Sequence, residues 1–244
     1  MERNRICICV PYFGGKDWEH DELIDQARAS GYLVEVMHNY PYIDQARCYL
    51  AERALRLGVD VVFFIDHDMI FDIADIERMA EEALLRNAVV SGLYLTRRVM
   101  GTAVVRPDPM PEKILCFKRG GLYPCSALPG GFTAIPRRVL EELPIKSAVL
   151  GDAKTRVRLW FFNDVFWVKD EESGEERGYW MGEDMAFSRR VRDAGFEMFV
   201  DTRPRIYHKG SHKFALEDGD MTYDHRFQDV LEIVTHQRVL VPAT

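Results

Sequence analysis

No segment of this 244-residue chain approaches the roughly 18 uninterrupted apolar residues that a membrane helix needs, so no spanning helix is expected. Positive charge is also short. The 32 Lys and Arg stand against 39 Asp and Glu, a net charge of −7, which argues against nucleic acid as a partner. Cysteine is scarce and odd in number, five in all, with no secretory signal read at the N-terminus. A disulfide framework is therefore not expected, and free thiols in a reducing compartment are. Cys116 and Cys125 lack the close-paired spacing of a structural zinc site. Internal repeats and low-complexity tails are missing as well. A cytoplasmic chain forming one domain of the larger kind is the expectation.

What is present alternates in period. Arg5 to Tyr12 reads as a strand, Phe13-Gly14-Gly15-Lys16 as a loop, and Trp18 to Ser30 as a helix closed by Gly31. Tyr32 to Met37 is a second strand. Ile43 to Leu57 is a helix with Ile43, Ala46, Leu50, Ala54 and Leu57 on one stripe, and Val61 to Ile65 is a third strand, buried on both faces. A helix from Ile73, capped by Asp72 or Asp75, and a strand over Ala88 to Leu93 follow. This alternation predicts a right-handed, mostly parallel α/β sheet over roughly the first hundred residues.

From Thr96 the texture changes. Pro107, Pro109, Pro111, Gly120, Gly121, Pro124 and Pro129 punctuate short strand-like pieces, which suits an antiparallel or irregular region. Val157 to Val168 is apolar and aromatic, and the charged run Lys169 to Arg177 reads as a hairpin turn or a solvated loop. A helix opens after Gly182 and ends at Gly195, and Phe196 to Val200 is a further strand. In the tail, Phe227 to Val234 is read as a helix packed on the core or on another subunit, and Lys209 to Asp220 as a lid.

Two acidic constellations carry the chemistry. Asp66-His67-Asp68 closes the third strand, and the crevice beyond strand C-termini is where α/β sheets gather ligands. Mg²⁺ and Mn²⁺ prefer carboxylate oxygen and take one or two protein carboxylates besides phosphate and water. Glu183-Asp184, behind Trp180 and Gly182, opens a helix whose positive dipole end favours ionised acids, the form a general base requires. His208, after a short apolar run, has the chemistry to complete a metal shell. Each feature alone also has a plain structural explanation, as a helix cap or a solvated turn.

Taken in order, Val10-Pro11-Tyr12, Asp66-His67-Asp68, Gly130-Gly131-Phe132, Trp180 to Asp184 and His208 resemble a GT-A fold glycosyltransferase, over about Arg5 to Gly210. The resemblance is closest to the family 2-like, metal-dependent enzymes with a DxD motif. It implies an α/β three-layer sandwich, Rossmann-like, with a central mostly parallel sheet and a smaller mixed or antiparallel acceptor-side region. Residues 1–100 would form the nucleotide-binding half, 101–210 the acceptor-side half of the same domain, and 211–244 the lid and helical tail.

The resemblance further implies a nucleoside-diphosphate sugar donor, a UDP-sugar before a GDP-sugar, with Mn²⁺ or Mg²⁺ on the diphosphate. The acceptor would be a hydroxyl of a glycan, glycolipid or small molecule. Asp66 would hold the ribose or the metal, Asp68 the metal, and His208 would add a ligand. Pro11, Tyr12, Asn39 and Arg47 would line the nucleotide, Arg47 facing solvent being the alternative. Gly130 and Gly131 would let backbone approach the sugar or diphosphate, and Trp180 would wall the sugar. His67 belongs to the donor-lining motif without being a metal ligand, its side chain directed away from both acids. In an inverting enzyme Asp184 would be the base and Glu183 the acceptor contact. The competing functions are a sugar-1-phosphate nucleotidyltransferase, against which the short loop after the first strand counts, and a noncatalytic nucleotide- or glycan-binding module.

Overall fold

The computed structural model describes residues 1–15, 17–95, 106–107, 115–117, 120–150, 156–170, 173–210, 213–214 and 231–233. The first half runs β1 (Ile6–Tyr12), α1 (Trp18–Ala29), β2 (Leu33–His38), α2 (Ile43–Arg56), β3 (Val61–Ile65), β4 (Met69–Ile70), α3 (Ile73–Arg86) and β5 (Val89–Gly92). Short strands β6 (Arg106–Pro107) and β7 (Leu115–Phe117) lead to β8 (Leu122–Ala127), β9 (Phe132–Pro136), α4 (Arg137–Glu142), β10 (Ser147–Val149) and β11 (Arg156–Arg158). The chain continues through β12 (Asp164–Lys169), β13 (Glu176–Met181), α5 (Glu183–Asp193), β14 (Met198–Asp201), β15 (Tyr207–Lys209), β16 (Lys213–Phe214) and β17 (Leu231–Ile233).

Local chemistry sets the helix ends. The Asp17 carboxylate accepts from the backbone N–H groups of Glu19 and His20 to start α1, and Gly31 leaves it at φ 94°. Asp72 accepts from Ala74 N to start α3, which stops at Asn87 in the left-handed region, φ 50°. Of the two acids weighed as caps, Asp72 is the one used.

The main sheet has the order β2-β1-β3-β9-β5-β14-β8-β6. Strands β2, β1 and β3 are mutually parallel, β5 and β14 are parallel, and β9 and β8 run against them. Helices α2 and α5 cover one face, where Leu50, Ala54, Phe187 and Val191 pack with Phe64, Trp160 and Phe161. Helices α1 and α3 cover the other, where Ile24, Ala27, Ile76 and Met79 pack with Ile8, Phe63 and Phe132. The result is the mostly parallel α/β sandwich expected from the alternation.

One strand departs from the expected repetition and positions the site. Strand β9 lies between β3 and β5, antiparallel to both, and all five of its residues are buried. Because Ile65 stands opposite Phe132, the Gly130-Gly131 turn that precedes β9 meets the C-terminal end of β3, where Asp66 begins. Thr133 Oγ1 donates to Pro129 O at 2.7 Å and to Ser91 Oγ at 2.9 Å, which holds that turn in place.

In the tail, Leu231–Ile233 is a strand paired with Leu115–Phe117, not part of a helix: its backbone groups bond across to a partner strand instead of along their own chain. Lys213–Phe214 pairs with β15 in a small sheet that also includes β4. The remainder of the expected lid and tail lies outside the described residues. Cys7, Cys9 and Cys48 are free thiols and are buried, as is Cys125, and burial pushes the Cys48 thiol up to about 12, which keeps it inert. No helix among the described residues is long and apolar enough to cross a membrane.

Candidate active site

Arg47 is the centre of the site. It projects from the first turns of α2 with only 2 % of its surface exposed, so the solvent-facing alternative is excluded. Its Nη2 donates to Asp66 Oδ1 at 2.8 Å and Oδ2 at 3.1 Å, and its Nη1 donates to Gly130 O at 2.9 Å. Its Nε stands 3.7 Å from Glu183 Oε1 and has no hydrogen-bond partner among the described residues. Burial opposes the charge on Arg47, but Asp66, Glu183 and Asp184 outweigh it and raise its pKa. One guanidinium thus joins the two acidic constellations.

The glycines are small for a steric reason. A Cβ on Gly130 would stand 2.9 Å from Arg47 Cζ, and one on Gly131 would stand 2.6 Å from both Met69 Cε and Tyr94 Oη and 2.9 Å from Asp66 Oδ2. Close approach is therefore to the chain's own Arg47 and Asp66. Asp66 N donates to Gly131 O at 2.9 Å, and Gly131 N donates to Tyr94 Oη at 2.9 Å.

Glu183 and Asp184 occupy the first turn of α5. Burial raises the Asp184 pKa, opposed by Met185 N, which donates to Oδ1 at 2.7 Å, and by Arg47. Burial likewise raises Glu183, with Arg47 pulling it down and Asp184 pushing it up. A carboxylate with an elevated pKa is a stronger base than an exposed one. Ser188 Oγ donates to Asp184 O at 2.8 Å and accepts from Leu128 N at 3.0 Å, fastening the start of α5 to the segment that leads to Gly130.

Asp68 and His208 meet across β4 and β15. Asp68 Oδ2 and His208 Nε2 are 3.5 Å apart, and Lys209 N donates to Asp68 O at 2.7 Å. His208 Nδ1 donates to Leu95 O at 2.8 Å, so its Nε2 points a lone pair or a proton at the carboxylate. A ring nitrogen held by a carbonyl, its other nitrogen facing a carboxylate, suits a shared divalent cation. Two protein ligands are enough where phosphate and water supply the rest. Asp66 is turned instead to Arg47, and no group of three His, Cys, Asp or Glu among the described residues is arranged to hold a metal.

The other donor-side residues are spread along the strand mouths. Pro11 and Tyr12 are buried at the end of β1. The Tyr12 ring lies 5.1 Å from His38 and 5.0 Å from His67, and its hydroxyl accepts from Asp17 N at 2.9 Å. His67 sits in a turn closed by Met69 N donating to Asp66 O, not in extended backbone, and so its ring packs on Tyr12. Asn39 is exposed, left-handed at φ 54°, and donates its N–H to Tyr12 O at 2.7 Å. Trp180 is 71 % exposed on β13. Lys209 Nζ donates to Asp17 and Glu19, and Arg203 is bound to Asp201 and Glu82, so neither is free to meet phosphate.

Tyr94 and the Leu95 carbonyl were not singled out in the sequence. The available signal was their place just beyond a strand's C-terminal end, in Leu93-Tyr94-Leu95. A cleft of about 600 Å³ lies further down α5 and is lined by Lys146, Phe162, Asp164, Arg190 and Asp193.

No family model and no curated protein matches the chain. Among solved structures it is similar to A197 from STIV, at a TM-score of 0.57 and 16 % identity over 95 % of both chains. It is more distantly similar to GalNAc-T7 with UDP, GalNAc and Mn²⁺, at 0.45 and 15 %, over 88 % of this chain and 39 % of that one. A further likeness is to apo UDP-glucose pyrophosphorylase, at 0.41 and 9 %, over 83 % and 75 %. The likeness to A197 shows a shared fold along the chain, and the two lower scores are too small to establish one.

Proposed function

We propose that the protein is a GT-A type glycosyltransferase that moves a sugar, a hexose first, from a nucleoside diphosphate to an acceptor hydroxyl with inversion. A UDP-sugar is the first donor to test and a GDP-sugar the second. The observation that carries this reading is Arg47, whose guanidinium binds Asp66 of the donor motif and faces Glu183 of the acceptor motif. The two acidic motifs, far apart in sequence, act on one charge.

Asp66, Glu183 and Asp184 stand around a single arginine, an excess of negative charge that repels a diphosphate unless a cation accompanies it. Asp68 and His208 would hold that cation, Mn²⁺ or Mg²⁺, which when bound offsets charge on the departing nucleoside diphosphate. Arg47 fixes Asp66 at the mouth of β3, and in this reading Asp66 holds the ribose. Asp184 takes the proton of the acceptor hydroxyl as that oxygen attacks the anomeric carbon. Glu183, held by Arg47, orients the acceptor.

The test is donor turnover with Mn²⁺, scored for free nucleoside diphosphate and for glycoside. Asp184→Asn keeps donor binding and loses transfer. Formation of nucleoside triphosphate from sugar nucleotide and pyrophosphate would instead identify a nucleotidyltransferase. Metal-dependent nucleotide binding with no product under a broad acceptor screen would identify a noncatalytic module.

A further inference from the structure

We propose that the outer face of the β12–β13 hairpin is a docking platform for a neutral oligosaccharide acceptor, whose sugar rings stack on Trp167 and Trp180. This rests on the transferase reading and names its acceptor class.

Val165 stands opposite Trp180 and Trp167 opposite Gly178. Directly opposed residues share a face, so Val165, Trp167 and Trp180 are on the same side. Phe166 is on the other side, where the Arg189 guanidinium lies 4.3 Å from its ring, so α5 covers that side and the tryptophans look outward. Trp167 is 63 % exposed and Trp180 71 %. Two indoles and a valine left together in water form the kind of patch that marks a binding surface.

The geometry points to a flat ligand. A Cβ on Gly178 would meet Trp167 Cη2 and Cζ3 at 3.2 Å, so the six-membered ring of Trp167 rests against the glycine while most of the indole stays in solvent. A pyranose matches such a surface, with apolar C–H bonds on its face and hydroxyls around its rim. Charge narrows the ligand further. Asp170, Glu175 and Glu176 outnumber Lys169 and Arg177 at the described end of the hairpin, which disfavours anionic lipid, nucleic acid and acidic glycans. Position favours an acceptor, because β13 runs from Trp180 through Met181 and Gly182 into Glu183 and Asp184. At the reach of extended chain, Trp180 lies within about 14 Å of Asp184, so a chain of sugars lying on the platform can present its terminal hydroxyl to the base.

The experiment titrates the intact protein, without donor or metal, with maltohexaose, cellohexaose, chitohexaose and mannohexaose, read by intrinsic fluorescence and saturation-transfer NMR. At least one hexasaccharide is expected to bind, and Trp167→Leu and Trp180→Leu to weaken it about tenfold, the scale of one lost aromatic contact. Leucine keeps an apolar side chain over Gly178, so the hairpin is retained. Gly178→Ala, which pushes Trp167 off the glycine while removing no aromatic, is expected to weaken binding as well. No binding of any probe, or binding that all three variants leave unchanged, overturns the platform. Sedimentation showing a dimer that the leucine variants dissociate also overturns it, making the face an interface between copies. Donor turnover without oligosaccharide binding sinks the platform alone, and oligosaccharide binding without donor turnover sinks the transferase reading alone.

Discussion

Arg47 Nη2 holds both carboxylate oxygens of Asp66, at 2.8 and 3.1 Å, from a position that is almost wholly buried. The pair ties α2 to the mouth of β3, and the same guanidinium reaches Gly130 O and faces Glu183. It thereby links Asp66 to Glu183 across the site. The chemistry proposed for Asp184 depends on that arrangement, because a general base must stand within hydrogen-bond reach of the proton it removes.

Arg47→Met is expected to destabilise the fold by ~1–3 kcal/mol, because it leaves the half-buried Asp66 and the Gly130 carbonyl without the donor they share. Urea unfolding followed by far-UV circular dichroism measures this. Arg47→Lys should recover only part of the loss, since one ammonium cannot span Asp66, Gly130 and Glu183 in a plane. A methionine variant as stable as the parent would show that the pair contributes nothing net.

Gly131→Ala is expected to cost about 1–3 kcal/mol, the usual penalty for overpacking a filled site. Its methyl would press on Met69, Tyr94 and Asp66 together. Gly121→Ala is the control, with nothing within 4 Å of the added carbon. Thermal midpoints compare the two, and equal midpoints would show that the turn can relax.

The first three strands and helices were legible because each writes its own period: Val61–Ile65 and Ile43–Arg56 lie where their apolar patterns place them. Strand β9 was not, because nothing near Phe132 states that it pairs with Ile65 on one side and Ser91 on the other. Non-local pairing is a property of the folded sheet. For the same reason Asp66, Asp68, Arg47 and His208 could each be named from sequence, but not which of the last two meets which acid. Arg47 pairs with one and His208 with the other, and the partner of each is chosen by tertiary placement.

The pH dependence of transfer follows from the acids of α5. Burial raises Asp184, and the base proposed for transfer is its ionised form. The acid limb of kcat/KM is therefore expected above the ordinary aspartate range, with activity lost as pH falls through the raised pKa. For stability the sign is opposite. A carboxyl raised by folding favours the folded state below its unfolded pKa, and that contribution disappears as pH rises through the folded one. Because the charge of Arg47 pulls both acids down, an active Arg47→Met enzyme, which lacks that charge, should show its limb at still higher pH. Asp184→Asn should remove the limb with the activity. A limb that survives in residual turnover belongs to another group.

Under the proposed metal role, Mn²⁺ affinity is expected to separate Asp68 from Asp66. His208 is oriented by the Leu95 carbonyl, with Nε2 3.5 Å from Asp68 Oδ2, whereas Asp66 is engaged by Arg47. Asp68→Asn and His208→Ala are therefore each expected to weaken Mn²⁺ binding by at least about tenfold, the lower range seen when a metal site loses even an orienting partner. Asp66→Asn should leave Mn²⁺ binding within a few fold and lower stability instead, since it removes the charge that compensates Arg47. Calorimetric titration with Mn²⁺ in the presence of nucleoside diphosphate, set beside urea unfolding of the same three variants, gives both readouts. If Asp66→Asn loses the metal while Asp68→Asn keeps it, the roles are exchanged and the Asp68–His208 contact is only a hydrogen-bonded pair that anchors β15 to β4.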